Sequence, residues 1–96
     1  MTELEIVCRR APDRAGWLCD VSVDVDGGSR TEPQVTVAGA DLDRLDPKAR
    51  DPHVLVDRSF HFLLEREPNT SILRSFDLMA IARYFPEFES TIKTAS

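Results

Sequence analysis

The chain reads as an α+β domain: a three-stranded antiparallel β-meander followed by one longer and two short α-helices packed on one sheet face. Three observations predict this. Apolar residues recur at every second position in the first half of the 96 residues. They recur with a helical period from Pro52 onward. The two regimes occur once each, strands before helices, which favours α+β over alternating α/β.

The first strand is "LEIVC", with Leu4, Ile6 and Cys8 on one face. The second is "WLCDVSVDV", with Trp17, Cys19, Val21, Val23 and Val25 on one face and Leu18, Asp20, Ser22 and Asp24 on the other. Period two over nine residues is the signature of a half-buried strand. If Cys8 lies opposite Cys19, Ile6 meets Val21 and Leu4 meets Val23, so every inward residue meets another. Pro12, Asp13 and Gly16 supply the turn between these strands.

"PQVTVAG" is the third strand, with Val35 and Val37 inward. Asp26, Gly27, Gly28 and Ser29 turn the chain before it, since these residues tolerate positive φ. Face matching sets Val35 against Val21 or Val23 and requires an odd loop of about three to five residues. Pro33 has no N–H for a ladder, so this strand lies at an edge or begins after the proline. "GADLDRLDPKARDP", with its acids and two Asp-Pro pairs, reads as a surface connection.

Asp51 as N-cap and Pro52 at the first helical position open a helix to about Glu67. Its apolar arc holds Leu55, Val56, Phe60, Phe62, Leu63 and Leu64. Pro68 stops it. A short helix with Ile72, Leu73 and Phe76 follows, broken at Asp77. There a second short helix starts, with Leu78, Ile81, Ala82 and Phe85 on one stripe and Phe76 stapled to Ile81. Pro86 ends it. The domain therefore spans residues 1–88, and residues 89–96 form a frayed tail.

Composition excludes several functions. With 12 Lys and Arg against 17 Asp and Glu the net charge is −5, which argues against nucleic-acid binding. The local cluster Arg9, Arg10 and Arg14 is its best candidate site. No apolar run is long enough to cross a membrane. "MTELEIVCRR" lacks the apolar region of a secretory signal, so the cytoplasm is the expected compartment. Cys8 and Cys19 are then expected as reduced core residues, with no disulfide.

Catalytic parts are missing: there is no Gly-x-Ser-x-Gly elbow, no phosphate-binding glycine loop and no Cys-x-x-Cys pair. "DVDGG" lacks the twelfth-position glutamate of a calcium loop. His53, Asp57, His61 and Glu65 share one helical stripe, and His53, Asp57 and His61 are the weak metal candidates. A solvated face with attractions between residues four apart explains the same spacing. Trp17 and Phe85 belong to core stripes. Tyr84 and Phe88 are the aromatics the core does not require, and so the candidate contact residues. The expected function is a small cytoplasmic protein-interaction or adaptor module without catalytic activity or cofactor. Its partner is another protein or itself, bound at the edge of the first or third strand. The alternative is metal or small-molecule binding on the His53/Asp57/His61 helix face.

Overall fold

The computed structural model describes residues 2–13 and 15–94. It is a mixed α/β fold with a five-stranded sheet and four α-helices among the described residues. The strands are β1 (Thr2–Arg10), β2 (Gly16–Val25), β3 (Arg30–Thr31), β4 (Gln34–Ala38) and β5 (Ser75–Asp77). The helices are α1 (Gly39–Leu45), α2 (His53–Leu64), α3 (Ala80–Tyr84) and α4 (Phe88–Thr94). The main path across the sheet is β1-β2-β4-β5, and β3 pairs with β2.

The first hairpin has the register supposed from face matching: Cys8 opposite Cys19, Ile6 opposite Val21 and Leu4 opposite Val23. The second is shifted by two residues from expectation. Val35 faces Cys19, and Trp17 faces Val37. An even shift leaves the inward face intact, because side chains alternate with period two. The turn is tight: Val25 N–H donates to Ser29 O, Gly28 N–H donates to Val25 O at 2.8 Å, and Gly27 takes φ 73°. Pro33 interrupts the returning strand, so β4 begins after it. The proline carbonyl still accepts the Val21 N–H at 2.9 Å.

Gly16 is required where β2 meets β4. A Cβ there would lie 2.4 Å from the Val37 carbonyl oxygen, a distance no side chain tolerates.

Four expectations are corrected. First, the sheet is larger than a three-stranded meander, and β4 is not an edge. The segment expected as a short helix with Ile72, Leu73 and Phe76 is a 3-10 turn over Asn69–Ser71 followed by β5, which runs parallel to β4. Gln34 N–H donates to Arg74 O at 2.7 Å and Leu78 N–H to Thr36 O at 2.9 Å. Helical propensity in this segment is overridden because β4 would otherwise leave backbone groups unpaired beside the core. The buried Asn69 amide fixes the turn by donating to Ser29 O at 2.9 Å.

Second, the expected surface connection contains α1, whose Leu42 and Leu45 are buried. Third, the tail expected to fray from Glu89 is helical as α4, with Ile92 buried. Residues 95 and 96 of that tail lie outside the described residues. Fourth, Cys8 and Cys19 are joined by a disulfide, where reduced thiols were expected. Their Cα atoms are 4.1 Å apart. They form a pair whose backbones do not bond each other, the closest approach in an antiparallel ladder.

The core lies against one sheet face. Cys19, Val21, Val23, Val35 and Val37 meet Leu42, Leu45, Leu55, Val56, Phe60 and Leu63 in one buried cluster. Helix α2 begins close to expectation. Asp51 Oδ1 accepts the His53 N–H at 2.9 Å, and Pro52 O accepts the Val56 N–H. Ser59, the polar member of the buried α2 face, donates to Leu55 O at 2.7 Å, so its burial leaves no unmet group. No helix among the described residues is long and apolar enough to cross a membrane.

Candidate functional site

An apolar groove of about 400 Å³ opens where the end of α2, the chain leading into β5, and α3 converge. Leu63, Ile72, Phe76 and Ile81 line it, with Leu73 and Tyr84 on its rim. Glu67 is the charged residue in its wall. Leu73 is 53% exposed and Tyr84 72% exposed, the two large apolar side chains left open on this side.

Local chemistry explains why. Extended backbone sends the adjacent Ile72 and Leu73 to opposite sides, so both cannot be buried. The start of α3 is set by Asp77, whose Oδ1 accepts the Met79 N–H at 2.9 Å. Five helical residues then place Ile81 inward and Tyr84 outward.

Arg66 braces the groove from behind. Its guanidinium lies 3.6 Å from the Phe62 ring centre and 6.0 Å from that of Phe85, and its Nη1 donates to Phe62 O at 3.0 Å. Phe62 in turn meets Phe85 and Phe88 edge-on, at 5.8 Å and 5.3 Å between ring centres. Arg44 ties α1 to α4 through Glu89, while also pairing with Asp41 at 3.1 Å.

The candidate residues divide sharply. Tyr84 lines the groove. Phe88 does not: it is fully buried and packs on Phe62, which corrects its placement as a contact residue. Four positions beyond Tyr84, it falls on the inward side of the next helix. Of the α2 stripe, only Asp57 and His61 approach each other, at 3.6 Å, and both are substantially exposed. His53 and Glu65 remain exposed, and no group of three or more His, Cys, Asp or Glu side chains able to hold a metal occurs among the described residues.

The arginine cluster is also dispersed. Arg9 pairs with Asp20 at 2.6 Å on the sheet face away from the core, Arg10 stacks over Trp17 at 4.5 Å, and Arg14 lies outside the described residues. The hydrogen bond from Arg9, then that from Gln34, holds the Asp20 carboxyl below its ordinary pKa.

Leu73, Ile72 and Phe76 escape a reading that puts them on a helix. The available signal was Ile72 beside Leu73 directly after Pro68 and a turn-forming Asn-Thr-Ser. Compared with known proteins, the chain matches no family model, no curated protein and no solved structure.

Proposed function

We propose that the protein is a small non-catalytic interaction module whose groove beneath Tyr84 and Leu73 receives an apolar side chain from a partner protein. The observation that carries this is the pairing of an apolar groove with two large side chains left open at its rim. Exposed apolar surface next to a concave, largely preformed site is what a partner's anchor residue buries. Glu67 in the wall favours an anchor flanked by a basic residue. Cytoplasmic residence belongs to this proposal. The Cys8–Cys19 bond bears against it, since disulfides persist mainly in oxidising compartments.

The test is peptide selection by display against the intact chain. Selected peptides should share an aromatic or branched apolar residue beside Lys or Arg. They should lose binding to Leu73→Asp and Tyr84→Ala while both variants keep their melting temperature. Peptides that bind Leu73→Asp as well as the parent would overturn the assignment.

A further inference from the structure

The two ends of the sheet differ in a way that points to a second contact surface. β5 is three residues long, a short edge that offers little to pair with. β1 is nine residues long and ends the strand order, so its outer side meets no strand among the described residues. It contains no proline, and its ladder to β2 runs without a break from Thr2 to Arg10. Edges of this length are blunted by a proline, a bulge, an inward charge or charged side chains along the strand, and of these β1 has only the last, in Glu3, Glu5, Arg9 and Arg10. Here the inward residues Leu4, Ile6 and Cys8 are apolar and only half-buried, and the outward Val7 is 65% exposed.

The hydrogen-bond phase shows which groups are open. Ala11 N–H donates to Gly16 O, so alternation turns Arg9, Val7, Glu5 and Glu3 toward β2. The backbone N–H and C=O groups of Leu4, Ile6 and Cys8 therefore point away from the sheet.

Charge selects the occupant. The strand reads Thr-Glu-Leu-Glu-Ile-Val-Cys-Arg-Arg, acids first and bases last. A second copy laid antiparallel and centred on Ile6 sets Glu3 opposite Arg9 twice over. It also sets Leu4 opposite Cys8, and Ile6 opposite itself. The Glu3–Arg9 contacts fall at non-hydrogen-bonded positions, where facing side chains approach most closely. Arg9 gives Nη1 to Asp20 and keeps its remaining N–H groups for this contact. A parallel alignment would stack like charges instead.

We propose that the free edge of β1 pairs antiparallel with β1 of a second copy of this chain, joining two sheets into one across a two-fold axis. The pairing is isologous and closes on itself, so it yields a dimer and not a fibre. A single strand edge is a small interface, so the dimer is of the reversible kind. This surface is separate from the groove and does not rest on it.

The experiment is sedimentation equilibrium of the full chain over a concentration series, with two charge variants. In Glu3→Lys, a cation faces Arg9 of the second copy. Within one chain Glu3 faces Asp24, so the same change relieves a like-charge pair and leaves the melting temperature unchanged or raised. Arg9→Glu makes the reciprocal change. Each variant alone should dimerise about tenfold more weakly than the parent. An equimolar mixture of the two should regain parental association, because both cross-pairs are then attractive. A parent that stays monomeric throughout would overturn the proposal. So would a dimer indifferent to Glu3→Lys, or one lost on Tyr84→Ala, which would assign association to the groove.

Discussion

Tyr84 and Phe88 lie four residues apart, and both are aromatic, but truncation should separate them completely. Phe88 is 0% exposed, and its ring meets Phe62 edge-on at 5.3 Å with 71° between planes. Phe88→Ala removes the transfer energy of a buried ring and an aromatic pair worth about 0.5–1.5 kcal/mol. It also leaves a cavity between α2 and α4 that those helices cannot close without unpacking. Together these place the loss at about 3–5 kcal/mol. That is a large share of the roughly 5–15 kcal/mol that holds a domain together. Tyr84 is 72% exposed, so Tyr84→Ala should stay within about 0.5 kcal/mol. Urea unfolding followed by circular dichroism reads both. The Phe88→Ala midpoint should fall steeply with an unchanged slope, and that of Tyr84→Ala should hold. A Phe88→Ala loss below about 1 kcal/mol would refute the docking of α4, because a seven-residue helix has no stability of its own without that packing.

Two further predictions concern the sheet. Reducing the Cys8–Cys19 bond, which closes a loop across a sequence separation of 11, should cost about 3 kcal/mol. Denaturant midpoints with and without reductant measure it, and a thiol count should find no free thiol before reduction and two after. Asp20 has a folded-state pKa lowered chiefly by Arg9, so its contribution is present above the unfolded carboxylate value of about 4 and is lost as pH falls through the folded value. The stability difference between the parent and Asp20→Asn should therefore be largest near neutral pH and shrink in acid. A difference that grows in acid would contradict the Arg9–Asp20 pairing.

Strand alternation determined which faces of β1 and β2 meet, and among the registers two residues apart that satisfy it, the one with Cys8 opposite Cys19 is adopted. The 3.6-residue period likewise determined the buried side of α2, where Leu55, Val56, Phe60 and Leu63 all lie in the core. Both signals are local, written within a dozen residues. Tertiary structure alone decided the rest. Ile72 to Phe76 has the composition of a short helix, yet β4 demands backbone partners and draws the segment into the sheet as a parallel strand some forty residues distant. Leu42 and Leu45 are too few to show a period, and their burial depends on where α1 lands on β2 and β4. The groove followed from that same recruitment. Tyr84 faces out as its place off the Leu78, Ile81, Ala82 and Phe85 stripe implies, but with Phe76 drawn into β5 and Ile72 turned inward, Leu73 was left facing out beside it, an outcome that no spacing within the chain encodes.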